Sequence, residues 1–264
     1  MKRRKRIVMS VICGLLVAAV ALGGTLAYLT DSESITNTFT VGTGYVGNDA
    51  FTLDETKKPD AGLPTETSTN NRTENNQTYS GLLPGTQFAK DPTFHLGKNQ
   101  DGTHVIESYI IAKLDKFDAA KAEGYKFFKA DGETEGLNDR WVKVAELNPE
   151  AKLDETKLDG YYLYTENGTI TEGDMDVTYT PSSTTKPNSI SILGPGADTD
   201  PLFTYVQLKD MGNEEFEKVS DSLSVDISGV AVQAPYTSPN DAVQAAIEKL
   251  TGGTTPTPAP TTNP

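Results

Sequence analysis

Apolar and polar residues alternate in short runs through most of the chain. Strand-like runs occupy residues 36–41, 51–53, 88–96, 105–114, 141–147, 161–165, 190–193 and 202–208. Clusters of Gly, Pro, Asn and Asp, which favour turns, separate most of these runs. Strands of this length and spacing are typical of sandwiches. The pattern therefore predicts an all-β fold, an antiparallel β-sandwich.

Two pairings between neighbouring runs follow from the turns that separate them. A turn at residues 99–102 lies between the runs 88–96 and 105–114, which predicts that these two pair as adjacent antiparallel strands. Asn167 and Gly168 follow the run 161–165, and both residue types tolerate a positive φ. They predict a type I′ hairpin at this point.

The last predicted strand changes its apolar phase at Gly229. The apolar positions are odd-numbered before this glycine and even-numbered after it: Leu223, Val225, Ile227, then Val230, Val232, Ala234. Because a shift of one residue moves side chains to the opposite face, the sequence predicts a β-bulge near Gly229.

Two segments have helical spacing. Residues 115–140 contain apolar residues at near-helical intervals, which predicts a short helical insertion between strands. Near the C-terminus, Ser238 is a predicted N-cap and Pro239 the first helical residue. An apolar stripe that ends before Gly252 predicts that this helix packs on the sandwich: Val243, Ala246, Ile247 and Leu250.

The N-terminus has the charge and hydropathy pattern of an export signal. Residues 2–6 are all basic, and a mostly apolar run occupies residues 7–22. Sixteen residues give about 24 Å of helix at 1.5 Å per residue, short of the roughly 30 Å hydrocarbon core, so removal is favoured over a retained anchor. The small residues Thr25 and Ala27 predict cleavage before Tyr28. Contact with a membrane is expected only through the uncleaved leader.

These features divide the chain into three parts. A signal peptide at 1–27 precedes a sandwich domain, and a Thr/Pro-rich tail predicted to be disordered follows it. The predicted boundaries are 1–27 for the signal, 28–251 for the domain and 252–264 for the tail, with an N-terminal arm at 28–42, a polar loop at 57–80 and the insertion at 115–140.

Charge and cysteine content narrow the function. Removing residues 1–27 leaves 18 basic and 37 acidic residues and a formal net charge of −19. Such a chain repels phosphate, which argues against nucleic acid as a partner. The single cysteine, Cys13, leaves with the leader, so the mature chain must be stabilised without disulfides. A secreted chain without cysteine favours export from a Gram-positive bacterium.

Several motifs recur in a characteristic order along the chain. They are the cleavage region at residues 23–31, the Thr-Phe-Thr-Val-Gly stretch that ends at Gly42, and later blocks whose characteristic residues are Pro84, Gly85, Lys90, Asp91, Pro92, Gly160, Tyr161 and Tyr162. Together these motifs resemble the TasA/camelysin family of Gram-positive exported proteins, and the later blocks resemble in particular its clostridial-type relatives.

This resemblance implies a jelly-roll-like sandwich, cleavage by a SipW-type signal peptidase, and assembly into extracellular or biofilm-matrix fibres at the cell surface. The expected partners are the protein itself and other matrix proteins. One family mode of assembly donates the N-terminal segment to the next subunit, and the apolar anchors here would be Leu29, Ile35, Phe39 and Val41. Alternatively, the arm is the first strand of its own sandwich.

Camelysin-like members have been described as metallopeptidases, an activity that requires metal ligands. The only two histidines, His95 and His104, are nine residues apart and do not match the zincin spacing of four. No cofactor is predicted. The pairs Asp174/Asp176 and Asp198/Asp200 are candidate ligands for calcium, because this ion prefers oxygen ligands such as carboxylates. We therefore predict a non-enzymatic fibre subunit, with a metallopeptidase as one alternative.

Two further possibilities remain open on the sequence. A monomeric surface-binding module would use the tyrosines of residues 161–164 as a sugar platform. Isopeptide crosslinks would suit a cysteine-free surface domain, and Lys90 is a candidate donor whose partner the sequence does not identify.

Overall fold

The fold is seen in a computed structural model that describes residues 30–35, 51–75, 77, 79, 82–98, 105–147, 158–181, 185–212 and 225–251, with residues 30–35 described as backbone only. The strands are β1 Thr30–Ile35, β2 Phe51–Thr56, β3 Arg72–Thr73, β4 Gln87–Ala89, β5 Thr93–Leu96, β6 Ser108–Asp115, β7 Tyr125–Phe128, β8 Trp141–Lys143, β9 Tyr161–Tyr164, β10 Tyr205–Leu208 and β11 Asp226–Gln233. Within the described residues, the α-helices are α1 Phe117–Ala122 and α2 Pro239–Leu250.

The strands form three antiparallel sheets. A five-stranded sheet has the order β1-β11-β6-β9-β8, and two three-stranded sheets have the orders β4-β10-β7 and β3-β2-β5. This arrangement, with one short helix and one C-terminal helix, confirms the predicted all-β sandwich with its helical additions.

Two hydrophobic cores lie on opposite faces of the five-stranded sheet. The first core joins one face of that sheet to β2, β4, β5, β7 and β10 of the smaller sheets, and its largest side chains are aromatic: Phe51, Phe88, Phe94, Phe127, Trp141, Tyr164 and Phe203. The second core joins the other face to α2, which contributes Ala242, Val243, Ala246 and Ile247. The central strands therefore bury side chains on both faces.

Strand β11 has no bulge, so the prediction of a bulge near Gly229 is wrong. Its register with β6 runs unbroken from Asp226 opposite Asp115 to Gln233 opposite Ser108. The apolar phase changes because β11 is buried on different faces at its two ends. Ile227 and Ala231 point into the first core, whereas Val230 and Val232 point into the second core beneath α2.

Gly229 is where the ring of Phe94 approaches the backbone of β11. A Cβ atom at this position would lie 2.3 Å from Cε1 of Phe94 and 2.6 Å from Cζ. The absence of a side chain thus allows β5 to pack closely on the centre of the five-stranded sheet.

Helix α2 begins and packs as the sequence predicts. The Oγ of Ser238 accepts a hydrogen bond of 3.2 Å from the backbone N–H of Asp241, and Pro239 is the first helical residue. The buried stripe of the helix then covers the second core.

The predicted pairing of residues 88–96 with 105–114 is wrong, because 88–96 is two strands in two different sheets. β4 pairs with β10, β5 pairs with β2, and β6 pairs with β9 and β11. The break falls at residues 90–92, where Pro92 has no N–H to donate to a ladder. The chain changes sheet at this point.

The predicted type I′ hairpin at Asn167 and Gly168 is also wrong. Gly168 has a φ of 77°, but Asn167 does not have the positive φ that this turn requires at both positions. β9 pairs instead with β6 and β8.

Several sequence predictions concern residues outside the described ranges. These are the leader with Thr25 and Ala27, the new N-terminus at Tyr28, the arm anchors Leu29, Phe39 and Val41, the histidine His104, and the tail 252–264. Of Ile35 the backbone position is known, opposite Ile227. Among the described residues, no helix has both the length and the hydropathy that crossing a membrane requires.

Substituting Gly229 by alanine should destabilise the fold, because the new methyl group meets the Phe94 ring inside a packed core. We expect a loss of about 1–3 kcal/mol in the free energy of unfolding, measured by urea denaturation. Gly173→Ala is the matched control, since its Cβ meets no atom within 4 Å. It should change stability by less than about 0.5 kcal/mol. Equal stability of the two variants would contradict the contact.

Candidate functional site

The chemically richest part of the described chain is a cluster of charged side chains around β2, which we call the β2 charge cluster. It consists of Asp54, Glu55, Arg72, Lys90, Asp91 and His95. The cluster gathers side chains from β2, β3, β5 and the connection between β4 and β5.

Lys90 and Glu55 form a fully buried ion pair within this cluster. Their side chains are 1% and 0% exposed, and Lys90 Nζ donates a hydrogen bond to Glu55 Oε2. The second oxygen, Oε1, accepts a 2.7 Å hydrogen bond from Nε2 of Gln77. The same Nε2 donates to the backbone carbonyl of Thr56 at 2.9 Å. Both carboxylate oxygens of Glu55 are therefore engaged by the protein.

Burial shifts the pKa values of these two groups towards their neutral forms. Loss of hydration raises the pKa of Glu55, and the attraction of Lys90 only partly offsets this rise. Burial likewise lowers the pKa of Lys90, although Glu55 favours the ammonium form. The neutral amine of Lys90 and the neutral carboxyl group of Glu55 are therefore more populated in this buried site than they would be at the protein surface.

Arg72 connects the two aspartates of the cluster. Its Nε donates to Asp54 Oδ1 and its Nη1 to Asp91 Oδ2, each at 2.6 Å. The other carboxylate oxygen of Asp91 accepts a 2.7 Å hydrogen bond from the backbone N–H of Thr56. Arg72 lies within the polar segment 57–80, so these bonds attach that segment to the sandwich.

His95 lies between two carboxylates. Its Nε2 is 2.7 Å from Asp54 Oδ1, and its Nδ1 is 2.7 Å from Asp198 Oδ1. Only the doubly protonated ring donates at both positions. Partial burial opposes the charge, but the hydrogen bonds with Asp54 and Asp198 outweigh it and raise the pKa of His95 above its usual 6.5. Burial also opposes the charge of Asp54, yet His95 and Arg72 lower its pKa.

The described residues do not include a group of three or more His, Cys, Asp or Glu side chains placed to hold a metal ion. Both ring nitrogens of His95 already face carboxylates. The aspartates considered for calcium also have protein partners. Asp174 accepts from Ser189, Asp176 from Asn240, and Asp198 faces His95.

The tyrosines considered as a sugar platform do not share one surface. Tyr161 is buried in the second core and Tyr164 in the first, on opposite faces of β9. Tyr162 is half-buried and lines a cleft of about 420 Å³ beside Phe117 and Trp141. A single aromatic platform at residues 161–164 is therefore not formed.

The motif residues that carried the family resemblance fall into two groups. Lys90 and Asp91 belong to the β2 charge cluster, immediately before Pro92. Gly85 and Gly160 instead shape turns, with φ values of 80° and 79°. A Cβ on Gly160 would lie 2.7 Å from the carbonyl oxygen of Leu114, which explains why a glycine is needed before Tyr161.

Sequence reasoning missed Glu55 as the partner of Lys90, although the strand pattern contains a signal for it. Phe51, Leu53 and Glu55 alternate along β2, and all three are buried. An acidic residue in phase with two core residues indicates a buried charge that needs a partner. Arg72 has no comparable signal, because it lies in a polar segment.

The comparison with protein families gives a match to the N-terminal part of the chain. Residues 2–58 match the model of a family described as camelysin metallo-endopeptidase. The match supports the TasA/camelysin family and covers the N-terminal motifs that indicated it, whereas the later motif blocks at 84–92 and 160–162 lie outside the matched residues. It spans the predicted leader together with β1 and β2. No curated protein and no solved structure matches the chain.

The stability of the protein should depend on pH through His95. Because its folded pKa is raised, its contribution is complete below the unfolded pKa of 6.5 and is lost as the pH rises through the folded value. Asp54, whose pKa is lowered, contributes above its unfolded value of 3.8 and loses that contribution as the pH falls. The pair therefore stabilises the fold most between about pH 4 and 6.5.

Urea denaturation at pH 6 and pH 9 tests this dependence. The His95→Gln variant should lose less stability between these pH values than the wild type, because the raised pKa of His95 no longer contributes. An unchanged pH profile in His95→Gln would show that the pKa of His95 is the same in the folded and unfolded states, which would contradict the raised value.

Proposed function

We propose that this protein is a secreted structural subunit of extracellular or biofilm-matrix fibres of a Gram-positive bacterium, and that subunits join by exchanging their N-terminal strand. Export would remove residues 1–27 through a SipW-type signal peptidase. The observation that carries the proposal is the position of β1. This strand lies at the edge of the five-stranded sheet, and it begins three residues after Ala27, the last residue of the predicted leader.

β1 is attached to the sheet through a single neighbouring strand. All six of its residues pair with β11, from Thr30 opposite Val232 to Ile35 opposite Ile227. Because β1 is the end strand in the sheet order, nothing in the described part of the sheet pairs with its other edge. This placement corresponds to the alternative in which the arm is the first strand of its own sandwich.

The same pairing can be made between two subunits. Residues 36–50 separate β1 from β2, which leaves a connection long enough for β1 to reach a neighbouring molecule. Exchange of an identical strand between protomers replaces each hydrogen bond by an equivalent one, so its cost in free energy is small. Repeated from subunit to subunit, the exchange produces a fibre whose chief partner is the protein itself.

A secreted metallopeptidase is the second candidate function, because the description of the matching family names that activity. The His95 environment argues for a structural role of that residue, since its two carboxylate partners occupy both ring nitrogens. His104, the second histidine of the chain, lies outside the described residues.

Cysteine substitutions at a facing pair test strand exchange. Ser34 lies opposite Ser228, and facing Cα atoms in an antiparallel ladder are about 4.5–5.5 Å apart, within the range of a disulfide. The mature chain has no other thiol. When differently tagged Ser34→Cys and Ser228→Cys chains are assembled together and oxidised, we expect a disulfide that links the two tags on a denaturing gel.

In the matched control, the Glu166→Cys chain is used in place of the Ser228→Cys chain. Glu166 lies beyond the end of β9 and does not face β1. It should yield far less of the mixed disulfide. Strand exchange would be contradicted if electron micrographs show fibres but the mixed disulfide is no more abundant than in the control.

Proteolysis assays distinguish the second candidate function. The purified secreted chain should not cleave an unfolded protein substrate with or without added zinc, and a chelator should change nothing. Zinc-dependent cleavage that disappears in the His104→Gln variant would instead establish a peptidase and overturn the non-enzymatic assignment.

A further inference from the structure

The buried ion pair of the β2 charge cluster brings an amine and a carboxyl group together in a water-poor site. Lys90 follows β4, Glu55 lies on β2, and 35 positions separate the two residues in sequence. Direct contact between Nζ and Oε2 also places Nζ next to Cδ, the carbon of the same carboxyl group. An amine held against a carboxyl carbon is the arrangement that amide formation requires.

We propose that Lys90 and Glu55 are joined by an intramolecular isopeptide bond between Nζ and Cδ. The Nζ–Cδ bond forms and the Cδ–Oε2 bond breaks. Oε2 leaves as water, carrying the carboxyl proton and one proton from Nζ, and Oε1 becomes the amide oxygen. The step needs neither an oxidant nor a cofactor, and it does not depend on the fibre role proposed above.

Gln77 is positioned to assist this step. When the amine attacks Cδ, negative charge develops on the oxygen that remains. That oxygen is Oε1, which accepts the 2.7 Å hydrogen bond from Gln77 Nε2. A donor already aimed at the developing charge lowers the barrier without further reorganisation. Gln77 is itself fixed through the carbonyl of Thr56. It is a positioning and polarising residue.

The protonation states of the pair favour the reaction. Attack requires a neutral amine, and departure of water requires a protonated carboxyl group. Burial lowers the pKa of Lys90 and raises that of Glu55, which moves both groups towards these forms. The neighbouring Asp91 is held by Arg72 and by the backbone of Thr56, so its carboxylate is engaged elsewhere.

The surroundings protect the product from hydrolysis. The ring of Tyr79 lies 5.3 Å from Lys90 Nζ and packs on Phe88, with 4.7 Å between the ring centroids. The side chains of Lys90 and Glu55 are 1% and 0% exposed, so bulk water is kept away from the pair. The bond would connect β2 to the segment between β4 and β5, where the chain passes from one three-stranded sheet to the other. It would supply a covalent link in a chain whose single cysteine, Cys13, lies in the predicted leader and cannot form an intramolecular disulfide.

Mass spectrometry of the folded, secreted chain tests the proposal. With its N-terminus sequenced, the intact protein should be lighter than the sequence mass by one water molecule. Trypsin should not cleave after the acylated Lys90, and the peptide ending at Lys57 should be recovered as a branch on the peptide 73–98. A full-length mass in protein with native circular dichroism would overturn the proposal. So would a deficit of one ammonia, which would point to Gln77 as the acyl group.

Two lysine variants provide a matched comparison. Lys90→Arg keeps a positive charge, but its guanidinium is a poor nucleophile, so this variant should have the full sequence mass. Lys113→Arg alters a lysine that pairs with Asp115 at 3.1 Å near the surface, and it should keep the deficit of one water. A deficit that persists in Lys90→Arg would overturn the assignment. If Lys90→Arg fails to fold, the branched peptide from the wild type still decides the question.

Discussion

The structure depends on the long antiparallel pairing between β6 and β11, which is buried on both faces. Eight residues of each strand are in register, and their side chains alternate between the first and second cores. A ladder in this position must be apolar on both sides, which explains the two apolar phases of β11. It also requires Gly229, because the Phe94 ring approaches the strand more closely than any side chain would permit. The remaining strands and α2 assemble around this pair.

The β2 charge cluster is a second constraint, and it acts through the cost of unpaired charge. A buried ion pair adds little net stability over an apolar pair, but removing one partner leaves an uncompensated charge. The chain therefore has to bring β2, the polar segment with Arg72, and the connection after β4 together before the charges are satisfied. A covalent bond between Lys90 and Glu55 would make that arrangement permanent.

The matched family region and the proposed functions meet in the same part of the chain. Residues 2–58 include the predicted leader, the edge strand β1 and the strand that carries Glu55. Export and strand exchange would therefore act on one continuous N-terminal segment, and the crosslink would join β2 of that segment to Lys90, which lies outside the matched residues. β1 would provide the reversible contact between subunits, and the Lys90–Glu55 bond would strengthen each subunit internally.

Local sequence determined the elements whose signals are themselves local. The N-cap Ser238 with Pro239 specifies the start of α2, and alternating apolar residues specify the strands of an all-β sandwich. Only the tertiary structure decided which strands pair, because a ladder depends on distant residues that share no local signal. The break at Pro92 sends one predicted strand into two sheets, and Glu55 reaches Lys90 only once both sheets have packed. Charge complementarity over such a separation in sequence is a property of the fold.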